Sequence, residues 1–159
     1  MSPDALFQLG MGLNRDRTSQ TEGHATAPLP VSDEERLDFF TERNGVACAG
    51  SHLIIDLYGA EGLDDIGRID RAMRDCVDAA GATLLHIHLH PFEPNGGISG
   101  VAVLAESHIS IHSWPERGYA ALDVFMCGDA EPHACVDVLE AAFRPERVAV
   151  KELLRGREA

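Results

Sequence analysis

Cysteine is scarce in this chain: four in 159 residues, Cys48, Cys76, Cys127 and Cys135, with no CxxC pair. That usage excludes a dense disulfide framework and a zinc ribbon, and a cytoplasmic, reducing setting is the simpler expectation. Basic side chains are also few, 13 against 26 acidic ones, for a formal charge of −13. An average surface of that sign repels nucleic acid and anionic membranes, so neither is expected as a partner, whereas a cationic ligand is tolerated. Solubility alone explains the same charge. Long hydrophobic runs are missing too: no stretch approaches the roughly 18 apolar residues that cross a bilayer, and no basic segment followed by an apolar one opens the chain. What is present is an apolar content of 45% over a length that suits one ordinary domain with a real core.

Residues 14–32 are rich in Arg, Thr, Ser, Gln, Gly and Pro and show no apolar period, so they bury too little surface to offset the entropy of ordering. Ser32-Asp33-Glu34-Glu35 then fits a capping box ahead of Leu37, Phe39 and Phe40, which predicts a short helix to about Arg43, stopped by Asn44-Gly45. Residues 1–46 are therefore expected as a flexible arm with that helix, and 47–159 as the folded domain. His52 to Tyr58 is apolar and β-prone and is closed by Gly59. Leu63, Ile66, Ile69, Met73, Cys76, Val77 and Ala80 recur at three- and four-residue steps, one stripe of an amphipathic helix. Strands are expected at 83–90, 101–105, 108–113 and 119–126, with short turns between them that imply antiparallel neighbours. A second helix, with Cys135, Val138, Leu139, Ala142 and Phe143 inward, ends at Arg144-Pro145, and Arg147 to Leu153 makes a last strand. The expected fold is α+β: a two-layer sandwich of a mainly antiparallel sheet with two helices packed on one face.

Within that frame, the run Leu104-Ala105-Glu106-Ser107-His108-Ile109-Ser110-Ile111-His112-Ser113-Trp114-Pro115-Glu116 is unusual. It puts Ser107, His108 and His112 into a buried strand pattern, and Cys127-Gly128 follows nearby. With Gly50-Ser51-His52-Leu53, Asp56-Leu57-Tyr58-Gly59, Gly81-Ala82-Thr83, Ile98-Ser99-Gly100-Val101, Gly118-Tyr119-Ala120-Ala121 and Asp123-Val124-Phe125-Met126-Cys127-Gly128, the run resembles the bacterial S-adenosylmethionine decarboxylases. These are pyruvoyl enzymes that start as one precursor chain and cut themselves at a Glu-Ser bond. The resemblance covers about residues 50–157. It implies cleavage between Glu106 and Ser107, a homodimer of cleaved protomers, and a role in spermidine synthesis by supplying the aminopropyl donor.

The chemistry asks for these residue types. The Ser107 hydroxyl attacks the Glu106 carbonyl, the amide becomes an ester, and elimination leaves a dehydroalanine end that hydrolyses to pyruvoyl. The ketone then condenses with a substrate amine and accepts the electrons left as CO2 departs. A base must activate the hydroxyl and a donor must stabilise the oxyanion. By resemblance, His112 and Ser99 assist the cleavage, Cys127 returns a proton to the substrate carbon, Glu116 holds the ribose hydroxyls and Phe92 stacks on the adenine. A thiol suits the donor role because its ordinary pKa, about 8.5, leaves it protonated at neutral pH. An unbroken strand over 101–113 would point Ser107 and His112 to opposite faces, so the reading predicts a kink, bulge or turn near Glu106-Ser107.

The pattern also departs from that family. Arg117 stands where tyrosine is usual, Ser113 replaces threonine, and Asn95-Gly96-Gly97 lengthens a turn. Some relatives decarboxylate arginine or ornithine, which is an alternative substrate class. His86-Ile87-His88-Leu89-His90 places three imidazoles on one strand face, a spacing that metal sites use, and a metal-binding protein is a rival reading. An uncleaved regulatory subunit is a third. No metal is assigned to the decarboxylase site.

Overall fold

The computed structural model describes residues 40–157 of the chain. Its first elements are β1 (Thr41–Arg43) and β2 (Val46–Cys48), an antiparallel hairpin. Asn44 and Gly45 form the two-residue turn with φ of 53° and 76°. Two consecutive positive φ values are what a type I′ hairpin turn needs, and Asn-Gly is the pair that tolerates them best. The expected helix to about Arg43 is thus corrected over residues 41–43, where the chain is a strand; the rest of that helix and the arm before residue 40 lie outside the described residues. The hairpin also runs across the expected boundary at residues 46 and 47.

The main layer is a six-stranded sheet in the order β4-β5-β6-β7-β3-β8. Its strands are β3 (Gly50–Tyr58), β4 (Leu84–Pro91), β5 (Ile98–Leu104), β6 (Ser107–Trp114), β7 (Tyr119–Met126) and β8 (Arg147–Arg155), and every neighbouring pair is antiparallel. Helix α1 (Ile66–Ala80) follows β3, and α2 (Ala134–Phe143) follows β7. Asp65 caps α1 by accepting the Arg68 N–H at 2.9 Å, which holds its carboxyl below the usual range, and Gly81 ends the helix at φ 71°. The apolar stripe of α1 is buried from Ile69 to Ala80, but Ile66, the first residue of the helix, is exposed.

The two helices cover one face. Leu53, Ile55 and Leu57 of β3, Ile109 and Ile111 of β6, and Leu122 and Val124 of β7 meet Ile69, Met73, Val77, Leu139 and Phe143, all buried. Strand alternation sends the intervening residues, His52, Ile54, Val101, Val103, His108, Ser110, His112, Asp123 and Phe125 among them, to the other face, which no element among the described residues covers. The two-layer α+β architecture is as expected, and the sheet is antiparallel throughout.

Candidate active site

The chain turns sharply between β5 and β6. Ala105 and Glu106 make the connection, and Glu106 sits at φ 59°. A non-glycine residue in this left-handed region is held there at a cost of roughly 1–2 kcal/mol. The expected break near Glu106-Ser107 is therefore present, immediately before the bond between these two residues.

Ser107 opens β6 and points to the helix side. His108 pairs with Phe125, so Ser107 lies beside the end of β7, and the Cys127 N–H donates to Ser107 Oγ at 3.1 Å. Ser107 and Cys127 line one pocket of about 260 Å³ with Gly81, Ala82, Thr83 and Ala130. Small residues form most of its wall, which leaves room around the hydroxyl. Cys127 is half-buried, and burial, followed by the nearby Glu106 carboxylate and Cys48, pushes its thiol pKa up. The thiol therefore holds its proton at neutral pH.

Ser99 and His112 form a second cluster. They pair directly across β5 and β6, which brings Ser99 Oγ to 2.8 Å from His112 Nδ1 on the open face. With Phe92, Asn95 and Trp114 they line a pocket of about 550 Å³, a volume in the usual range for small-molecule sites. Phe92 is 47% exposed and meets the His90 ring edge-on at 4.8 Å, so it belongs to this pocket and not to the core. Glu116 lies in the short 3-10 turn Pro115–Arg117, exposed, two residues beyond Trp114.

The two clusters are separate within one protomer. Ser107 and His112 occupy the same strand five positions apart, which sets them on opposite faces and roughly 17 Å apart along the strand. The turn at Glu106 does not change this, because it precedes Ser107 and leaves the alternation from 107 to 112 unbroken. The expectation that a break would let these two side chains cooperate in one protomer is corrected on that ground.

Several residues gain roles that sequence reasoning did not supply. Trp114 stacks on Tyr119 at 5.3 Å and, with Tyr58 and Arg117, lines a neighbouring recess of about 490 Å³. Arg117 is thus exposed at a recess that shares Trp114 with the His112 pocket. Tyr119 donates to Asp56 at 2.6 Å, which pushes its pKa up to about 12. Ser113 is buried: its hydroxyl donates to Leu63 C=O at 2.8 Å and accepts the Ile98 N–H at 2.9 Å, so it ties β5 to the segment before α1.

His86, His88 and His90 do share a face of β4 and are exposed. Successive imidazoles stand roughly 6.6 Å apart along the strand, and two strand spacings separate them from His108 and His112. Among the described residues, no group of three or more His, Cys, Asp or Glu side chains is arranged to hold a metal ion. The metal reading has no geometric support there.

Comparison with known proteins shows the family. A family model described as S-adenosylmethionine decarboxylase matches residues 51–156. An S-adenosylmethionine decarboxylase proenzyme of Thermomicrobium roseum is 47% identical over 108 residues, 67% of this chain and 93% of the relative. One from Methanococcus maripaludis is 47% identical over 110 residues, covering 67% and 89%. The crystal structure of the adenosylmethionine decarboxylase from Aquifex aeolicus superposes with a TM-score of 0.62 at 34% identity, covering 69% of this chain and 92% of that one. The chain belongs to the S-adenosylmethionine decarboxylase family.

Proposed function

We propose that this chain is a proenzyme that cuts itself between Glu106 and Ser107, converts Ser107 to a pyruvoyl group, and decarboxylates S-adenosylmethionine to the aminopropyl donor for spermidine synthesis. The observation that carries the reading is the strained Glu106 at φ 59°, with Ser107 next to it in a pocket that also holds Cys127. A pyruvoyl group, once made, supplies a ketone that binds the substrate amine and draws electrons as CO2 leaves. The small residues around Ser107 leave space for it, and the Cys127 N–H is aimed at the oxygen that attacks.

The remaining roles follow from chemistry. Cys127, protonated at neutral pH, delivers a proton where CO2 departs. Ser99 engages His112 through Nδ1, which orients the ring and leaves Nε2 for the proton transfers of chain cleavage. Phe92 offers a ring face to the adenine and Glu116 a carboxylate to the ribose hydroxyls. One protomer keeps the Ser107 pocket and the His112 pocket apart, so a complete site needs a second copy, in which the partner's His112, Ser99 and Phe92 serve Ser107. The open sheet face carries exposed Ile54, Val103, Trp114 and Leu153, an apolar surface suited to burial against a second copy, and Ser107, as the first residue of β6 beside the turn, stands at the rim of the sheet around which that copy's groups reach it. These features support a homodimer with two shared sites.

Denaturing mass spectrometry of purified protein tests the cleavage: fragments 1–106 and 107–159 are expected, the second without a free serine amine. Assays of CO2 release from S-adenosylmethionine, arginine and ornithine in parallel test the substrate. Full-length chain alone after prolonged incubation, with no CO2 from any of the three, would overturn the reading.

A further inference from the structure

The hairpin β1–β2 lies before the segment that matches the family model, yet it reaches the wall of the Ser107 pocket. Its last β1 residue, Arg43, is mostly buried and sends its guanidinium 87 and 88 positions along the chain. Nη1 donates to Glu131 Oε1 at 2.9 Å, and Nη2 donates to the Ala130 carbonyl. Ala130 lines the Ser107 pocket, together with Cys127, Gly128 and Asp129. Asp129 also lines a recess formed with Phe40, Thr41, Glu42 and Ala47, so the hairpin flanks this loop on one side.

The loop's far end is anchored separately. The Glu131 N–H donates to Ala80 C=O at 2.9 Å, and His133 Nε2 is 3.2 Å from Glu152 Oε2, whose other oxygen accepts the Ser51 hydroxyl at 2.6 Å. Between Cys127 and that anchor stands the Gly128–Ala130 stretch, and the clamp on it given by these bonds is Arg43. A planar guanidinium that bonds a carboxylate and a carbonyl at once fixes direction as well as distance.

We propose that Arg43 is a positioning residue that holds the 128–131 loop, and through it the Cys127 thiol and N–H, against Ser107. The hairpin is then a working part of the site. This rests on the decarboxylase reading, in which Cys127 must present its proton to a defined carbon, and a displacement of about 1 Å at such a group is enough to lower turnover up to about 100-fold.

The test uses Arg43→Ala, Arg43→Lys and Glu131→Gln in the full chain with two independent readouts. The first is the rate of Cys127 alkylation by iodoacetamide, followed by peptide mass spectrometry, with the buried Cys76 and Cys135 as internal controls for unfolding. Arg43→Ala is expected to raise Cys127 labelling about ten-fold while Cys76 and Cys135 stay unlabelled, with partial recovery in Arg43→Lys. The second is steady-state decarboxylation, where Arg43→Ala should lower kcat about ten-fold with KM near that of the parent. Unchanged Cys127 labelling in Arg43→Ala overturns the proposal. If Arg43→Ala labels all the cysteines alike, Glu131→Gln decides: selective labelling of Cys127 supports the clamp and a parental pattern overturns it. Failure of the decarboxylase reading shows separately, as a parent protein that releases no CO2, and the alkylation readout still decides the role of Arg43.

Discussion

Mixing two crippled chains gives the sharpest check on the shared site. Ser107 and His112 lie on opposite faces of β6, about 17 Å apart along the strand, so His112 has no route to the Ser107 of its own protomer. Take one chain with Ser107→Ala and another with His112→Ala, each carrying a different tag, and purify the doubly tagged heterodimer. If each site takes Ser107 from one protomer and His112 from the other, two-fold symmetry leaves one site with both defects and one with neither, and about half of the parental activity per dimer is expected. Cleavage reads out the same logic without a substrate: the His112→Ala chain should be cut into 1–106 and 107–159, and the Ser107→Ala chain should stay whole. Each homodimer alone should be uncleaved or nearly so. A heterodimer in which neither chain is cut and no CO2 is released refutes the shared site and, with it, the inference drawn from strand alternation.

Three further outcomes are expected. Burial and the nearby Glu106 hold the Cys127 thiol protonated above its ordinary range, so kcat should stay level through neutral pH and fall only as pH rises through that raised pKa, above about 8.5; Cys127→Ser should process but turn over poorly and lack this limb, and a parental limb at or below 8.5 contradicts the assignment. Phe92→Ala should raise KM for S-adenosylmethionine about ten-fold, since stacking on a base is worth about 1–3 kcal/mol, whereas an unchanged KM removes Phe92 from the substrate pocket. Ser113→Ala leaves the Ile98 N–H and the Leu63 carbonyl without their partner and should cost about 1–3 kcal/mol in chemical denaturation, a loss that a merely exposed turn serine would not produce.

Much of the architecture was legible because its cues are local. The apolar period of α1, the alternation in β6 and β7 and the turn residues between strands act over a few positions, and the elements they imply are the ones formed. The N-terminal hairpin was not legible in the same way. Asn44-Gly45 is compatible both with the end of a helix and with a type I′ turn, and the choice between them is made by contacts such as that of Arg43 with Glu131, far along the chain. Arg43 itself carries no local signal: an arginine before Asn-Gly reads as a solvated residue until the loop at Ala130 and Glu131 folds against it.

By itself, the sequence determined which groups are chemically competent and how they alternate: a serine after a glutamate at a turn, a thiol after an apolar strand, and an odd spacing of five positions that separates Ser107 from the face of His112. Side-chain parity along a strand is a property of the backbone and needs no tertiary information. Only the tertiary structure decided which groups meet. The β6–β7 register brings the Cys127 N–H to Ser107, the β5–β6 register brings Ser99 to His112, and the two pockets come out on opposite faces, because strand partners are chosen by burying one apolar face of the whole sheet and not by any short segment.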